Sequence, residues 1–314
     1  MESSRRLKVL ITGVSGLLGS NLAYYSRDIF EVAGIYLTHP IALAGVSTKP
    51  IDILSRKDIQ ACLDEFSPDI VIHCAGLANI DLCEENPELA KRINVFGTKN
   101  IVDSLAGRSA KLIYISTDSV YDGQKGLFKE TDPINPQNYY GETKVEGELE
   151  ALRRESSLVL RTNFFGWNIQ DKMSLGEWVI DCLKNHRPLK GFRDVFFSSM
   201  YTIKLAPLIH EAIAQDLKGV YNCASRDCVS KYDFAVALAR RFDFDPSLVE
   251  PVSITNGGLK ARRGRNLSLD SGKLSRALQL PMPSISDSTE DFYRDYASGL
   301  PKFLKKCAFL NRSN

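Results

Sequence analysis

Lys8-Val-Leu-Ile-Thr12 is a short apolar, β-branched run bounded by polar residues, a pattern that suits a strand buried on both faces. Similar runs recur at Glu31–Leu37, Asp69–His73, Lys111–Thr117 and Ser157–Arg161. Between them the apolar residues switch to helical spacing. Ile59, Cys62, Leu63 and Phe66 fall at i, i+3, i+4 and i+7 behind a Ser55-x-x-Asp58 start, where the Ser55 oxygen is expected to accept a first-turn N–H. A helix is predicted from Pro87 to roughly Ala106, and another from near Tyr139, after the turn-rich stretch Asp132-Pro-Ile-Asn-Pro136. Strand and helix alternating in steps of roughly thirty residues is the rhythm of an α/β fold with a doubly wound parallel sheet.

Past Gly166 the rhythm weakens, and loops rich in Gly, Asn and Asp separate shorter elements. A second Ser-x-x-Asp cap, Ser230 to Asp233, precedes a predicted helix over Phe234 to Phe242. Residues 1–165 are therefore expected to form the sheet domain. Residues 166–314 are expected to form a smaller mixed α/β lobe on the substrate side, part of which returns to the sheet.

Composition narrows the classes. Hydrophobic residues at 44% and charged residues at 25% are those of a folded globular chain, which excludes disorder, collagen and a long coiled coil. A net charge of +2 gives no electrostatic case for nucleic acid or an anionic membrane as partner. No apolar run approaches the roughly 18–20 residues of a bilayer span. The Arg5-Arg6 pair leads into a strand and not into a signal peptide's apolar stretch. The seven cysteines contain no C-x-x-C pair and the four histidines no ligand spacing beside them, so no metal site is expected and the compartment reads as cytoplasmic.

Candidate chemistry sits at the strand ends. Thr12-Gly13-Val14-Ser15-Gly16-Leu17-Leu18-Gly19 lies between the first strand and a helix. Gly13 permits the tight turn, Gly16 a close approach to a pyrophosphate, and Gly19 the packing of helix on strand, while the helix N-terminus offers free N–H groups. Tyr140 and Lys144, four apart at the start of a predicted helix, share one face, and an ammonium beside a phenol is expected to lower a pKa otherwise about 10. Thr117, at the carboxyl end of its strand, is placed to hydrogen-bond a substrate carbonyl.

Together these motifs resemble the extended short-chain dehydrogenase/reductase family. T-G-x-x-G-x-x-G at Thr12–Gly19, Asp52-Ile53, Cys74-Ala75-Gly76, Asn94 before Gly97-Thr98, S-T-D-x-V-Y-D-G at Ser116–Gly123 and Y-G-x-x-K at Tyr140–Lys144 occur in family order. Within it the chain is most similar to the dTDP-4-dehydrorhamnose reductase branch, also through Arg161-Thr162 and Arg263–Asp270. The resemblance implies a Rossmann-type domain and a catalytic Thr117, Tyr140 and Lys144. It implies a cofactor held by Gly13, Ser15, Gly16, Leu17, Leu18, Gly19, Thr38, His39, Asp52, Ile53, Ala75 and Gly76 with Tyr140 and Lys144. Substrate contacts are implied for Thr117, Asp118, Tyr121, Asn163 and Arg263, the last as a guanidinium grip on a nucleotide-sugar diphosphate.

The implied reaction is reduction at C4 of a 4-keto-6-deoxy sugar nucleotide. Where an acidic residue would bind the adenosine 2′-hydroxyl, this chain has Tyr36-Leu37-Thr38-His39-Pro40, which favours NADP(H) and leaves NAD(H) open. Dehydratases of the family place Glu after the Asp beside the catalytic Thr, whereas here that residue is Ser119. An epimerase needs a substrate able to rotate after oxidation or a second acid/base pair, and no such pair is visible. The regulatory β subunit of methionine adenosyltransferase resembles the same branch, so a cofactor-binding partner protein is the non-catalytic alternative. The branch usually has Trp shortly after the Arg-Thr strand end, where Asn163-Phe-Phe-Gly-Trp167 stands here. A homodimer is left open. Elsewhere His73 reads as strand packing, Glu84 and Glu85 as dipole-favoured residues at a helix start, and Trp167 and Trp178 as packing between the lobes.

Overall fold

The structure, a computed structural model, describes residues 5–256 and 260–309. Lys8–Thr12 (β1), Glu31–Tyr36 (β2), Val46–Pro50 (β3), Ile70–His73 (β4), Lys111–Thr117 (β5) and Leu158–Thr162 (β6) all run parallel. A seventh strand, Gly219–Cys223, joins from the second half of the chain and pairs with β6 in register Gly219↔Leu158 to Cys223↔Thr162. The spatial order is Gly219–Cys223, β6, β5, β4, β1, β2, β3, a doubly wound α/β sheet whose order reverses beside β1.

Helices cover both faces. Leu17–Ser26 (α1) lies with the second-half helices on one apolar layer, while Arg56–Phe66 (α2) packs on the other against Leu10, Val71 and Leu112. Ile59, Cys62 and Leu63 are buried as the spacing requires. Ser55 departs from expectation. Its hydroxyl donates to the Asp58 carboxylate at 2.6 Å and caps no backbone N–H.

The helix predicted over Pro87–Ala106 is three pieces: Ile80–Glu85 (α3) precedes it, Pro87–Lys91 (α4) and Gly97–Ser104 (α5) flank a π-helical turn over Arg92–Phe96. The extra residue per turn aims Asn94 at the loop after β4. There it donates to the Leu77 carbonyl and to Thr143 and accepts from the Leu77 N–H. Glu84 and Glu85 end α3 and do not begin a helix. Glu84 accepts from the Tyr139 N–H and Glu85 pairs with Lys260.

Tyr139–Leu152 (α6) carries the Tyr/Lys pair and is capped by Asn138. In the second half, Leu175–Lys184 (α7), Thr202–Ala214 (α8) and Lys231–Arg241 (α9) surround three two-stranded ladders. Their core is aromatic: Phe165, Trp167, Tyr201, Phe234 and Phe292 are buried, with Trp167 stacked on Phe292 at 4.0 Å. Trp178 corrects the sequence reading, since it is 40% exposed and packs no lobe against another. Five of the seven cysteines are buried and all seven are free. Among the described residues no helix is long and apolar enough to cross a membrane.

His73 is buried at the end of β4, its ring nitrogens bonded to Thr12 (2.6 Å) and Thr98 (3.1 Å). Burial, reinforced by the Lys144 charge, pushes it down to about 3. The unfolded chain binds that proton near pH 6.5 and the folded chain does not, so the contribution to stability is complete above about 6.5 and falls as pH drops toward 3. Urea midpoints between pH 7 and 4 are expected to decline less steeply in His73→Gln than in wild type. Parallel declines would remove the assignment.

Candidate active site

The turn from β1 into α1 forms the floor of a cleft at the carboxyl ends of the strands. Gly13 has φ +66°, and a Cβ there would lie 2.7 Å from the Ala75 backbone, so only glycine brings the two loops together. No side chain caps α1, which leaves its first-turn N–H groups and dipole facing the cleft. The cleft has two connected parts that share Gly13, Ser15, Gly16, His39, Cys74, Gly76 and Leu77.

One part, about 270 Å³, is bounded by Thr38, His39, Asp52, Ile53 and Ala75. Thr38 and His39 bond each other at 2.8 Å, and Asp52 accepts from the Leu54 N–H at 2.9 Å. The sole carboxylate among its lining residues is Asp52, and no Lys or Arg lines it. The other, about 610 Å³, runs along Leu17, Leu18 and Gly19 to Ile115 and Phe164, and is roofed by the loop Asn168–Ser174. That loop was not singled out by sequence reasoning; the Ser174 to Glu177 capping box that begins α7 also anchors its end.

At the sheet end, the Thr117 hydroxyl donates to Asp118 (3.1 Å) and accepts from the Ser119 N–H (3.2 Å). The Tyr140 hydroxyl lies near Thr117 and Asp118, both of which act on its ionisation. Asn163 donates to the other Asp118 oxygen at 2.8 Å. Thr117, Asp118 and Asn163 thus form one hydrogen-bonded cluster, with Tyr140 beside it.

The Lys144 ammonium is engaged on the neighbouring strand. It donates to the Ile115 carbonyl at 2.7 Å and lies over the Tyr114 ring, 4.0 Å from its centroid. Burial lowers it to about 8, against the attraction of Glu148. The Tyr140 hydroxyl, instead of being depressed, is held above the ordinary phenol range. Burial is the main cause and the Asp118 charge adds to it, while the neighbouring Thr117 hydroxyl opposes both. A phenol in that state keeps its proton at neutral pH and can donate it.

Two predicted substrate contacts are engaged elsewhere. Tyr121 is buried against Phe128, its hydroxyl donating to the Lys129 carbonyl and accepting from Arg161. Arg263 pairs with Asp81 of α3 at 3.0 Å and donates to the Ala261 carbonyl. The guanidinium thereby ties a loop to α3.

Among the described residues no group of three or more His, Cys, Asp or Glu could hold a metal ion.

The chain is 28% identical over 289 residues to a dTDP-4-dehydrorhamnose reductase of Aggregatibacter actinomycetemcomitans, covering 86% of this chain and 92% of that protein. It is 28% identical over 284 residues to the methionine adenosyltransferase 2 subunit beta of Xenopus laevis, covering 86% and 82%. The crystal structure of dTDP-4-dehydrorhamnose reductase from Bacillus anthracis in complex with NADP superposes with a TM-score of 0.83 at 25% identity, over 92% of this chain and 99% of that one. The RmlD substrate binding domain family matches residues 7–298, and the chain belongs to that family.

Proposed function

We propose that the protein is an NAD(P)H-dependent reductase of the 4-keto group of a 4-keto-6-deoxy sugar nucleotide, with NADP(H) the favoured cofactor. The observation that carries this reading is the cleft floored by Gly13, Gly16 and Gly19 at the carboxyl ends of the strands, with Thr117 ending β5 and Tyr140 and Lys144 one turn apart at the start of α6. The cradle suits a dinucleotide, because side chains on Gly13 and Gly19 would strike neighbouring backbone. The Thr38–His39 end offers a 2′-phosphate hydrogen-bond partners without a carboxylate at the end of β2 to repel it. NADP in the Bacillus anthracis reductase supports the same preference.

Bound NADPH supplies the hydride; the chain handles the proton. Thr117 orients the substrate carbonyl oxygen and Tyr140 gives its proton to that oxygen as charge develops on it. Lys144 brings positive charge one helical turn from Tyr140 and a donor for the ribose hydroxyls. Asp118 and Asn163, at the same sheet end, face the sugar.

Isothermal titration with NADPH and NADH, followed by absorbance at 340 nm with dTDP-4-dehydrorhamnose and related keto sugars, tests the reading. Tighter binding of NADPH and its oxidation on addition of a keto sugar are expected. The β-subunit relative at the same identity supports a second reading, a cofactor-binding regulatory partner. Tight NADPH binding with no turnover across the panel would favour it, and no binding of either dinucleotide would sink both.

A further inference from the structure

The loop Asn168–Ser174 roofs the larger part of the cleft, and hydrogen bonds make it a rigid piece. Glu177 is 8% exposed, and its carboxylate accepts from the Asn168 N–H at 2.9 Å and the Ser174 N–H at 2.8 Å. One buried side chain thus clasps both ends of the loop. Within it, Asn168 donates to the Lys172 carbonyl at 2.7 Å and accepts from the Gln170 N–H at 3.1 Å. Two helices pin it from outside. Asn21 of α1 donates to the Trp167 carbonyl at 2.9 Å, and Lys305 of the helix Leu300–Phe309 donates to the Gln170 carbonyl. With its backbone groups paired in this way, the fold fixes what the loop presents at its tip.

The tip presents charge. Asp171, Lys172 and Met173 are exposed, and all three border the cleft. Among the described residues bordering either part of the cleft, Lys172 is the one Lys or Arg. Gln170 borders the same space, and its buried side-chain nitrogen has no hydrogen-bond partner among the described residues. The roof therefore carries a donor in want of an acceptor beside its cation. Opposite stand Gly13, Ser15, Gly16 and the uncapped start of α1, whose N–H groups and dipole face the same space. A dinucleotide in this cradle has its pyrophosphate on the helix end, a dianion neutralised from one side only.

We propose that Lys172 is a cofactor-binding residue: from a roof pinned by Glu177, it supplies the positive charge that meets the dinucleotide pyrophosphate from the side opposite α1. Glu177 is then its positioning residue. The proposal rests on the dinucleotide half of the reading above, and on neither the keto sugar nor turnover. Asp171 is the carboxylate bordering this part of the cleft and Asp52 that of the other, so without Lys172 the cleft would be acidic. A flexible ammonium suits the task, since it needs no fixed fork geometry among the pyrophosphate oxygens. Filling the cleft also removes water from around the pair, which strengthens its attraction beyond that of an exposed ion pair.

Isothermal titration of the variants with NADPH and NADH tests this without any substrate. Lys172→Gln, at an exposed position, is expected to fold as wild type and to raise Kd roughly fivefold to fiftyfold. The factor should be the same for both dinucleotides, because both carry the pyrophosphate. Lys172→Arg should recover most of the affinity. Glu177→Gln leaves one of the two loop N–H groups without an acceptor and loosens the roof, so Lys172→Gln should cost less in that background. Should Glu177→Gln fail to fold, the Lys172 variants decide. A Kd within about twofold of wild type for both dinucleotides would overturn the proposal and leave the dinucleotide reading standing. So would a loss confined to NADPH, which would put Lys172 on the 2′-phosphate. An unchanged Kd with a raised KM for the keto sugar would overturn it too, by putting Lys172 on the substrate diphosphate. Wild type that binds neither dinucleotide would remove the cofactor reading and the proposal together.

Discussion

Tyr140→Phe is expected to lower kcat for the keto sugar by roughly 10²- to 10⁴-fold while leaving NADPH affinity close to wild type. The substitution removes one oxygen and preserves the ring. That hydroxyl is the proposed proton source: it lies near Thr117 and Asp118 and is held above the ordinary phenol range chiefly by burial. Reduction needs a group that keeps its proton until negative charge appears on the substrate oxygen, and a phenol raised in this way does so through the neutral range. The cofactor cradle is made of Gly13, Ser15, Gly16 and the first turn of α1, so dinucleotide binding should survive. Single-turnover oxidation of NADPH separates the chemical step from release. A variant that retained more than about a tenth of the wild-type rate would move the proton donor elsewhere.

Arg161→Met is expected to cost about 3–5 kcal/mol of stability, read from urea unfolding with activity as a second probe. Arg161 and Glu148 are 3% and 2% exposed. The guanidinium bonds Glu148 through Nε at 2.9 Å and Nη2 at 2.6 Å, and donates to the Tyr121 hydroxyl at 2.8 Å. Ser116 adds a further donor to Glu148 at 2.5 Å. Removing the cation leaves that carboxylate buried with its main partner gone, which is the costly half of breaking such a pair. Replacing both ends, as Glu148→Leu with Arg161→Met, should recover much of the loss because neither charge then remains in the interior. A loss under about 1 kcal/mol for Arg161→Met would mean that water reaches the site.

What could be read from the sequence was local. The limits of β1 and β5, the turn at Gly13–Gly19 and the one-turn spacing of Tyr140 and Lys144 each depend on residues within a few positions of one another. Partnerships across the fold were hidden. Lys144 stands one turn from Tyr140 as its spacing requires, yet its ammonium is drawn to the Ile115 carbonyl on the neighbouring strand. Arg263 sits in a basic run that suits phosphate, and Asp81, 182 residues away in sequence, takes it. Tyr121 follows β5, and the short 3₁₀ turn over Asp118–Val120 carries it into the core. The π-helical turn at Arg92–Phe96 leaves no mark on apolar spacing, because its five residues are bracketed by ordinary helix.

The strand Gly219–Cys223 also bears on how the protein is made. Until those residues leave the ribosome, β6 presents an open row of backbone donors and acceptors along the edge away from β5. At roughly 5–20 residues per second that interval lasts about 3–11 s. Once in place the strand is itself shielded, since Glu130 accepts the Asn222 N–H and the Asn222 side chain donates to the Phe128 carbonyl. The nascent first half is therefore the species most exposed to misassembly, and the unit that completes folding is the whole sheet and not the dinucleotide-binding half alone.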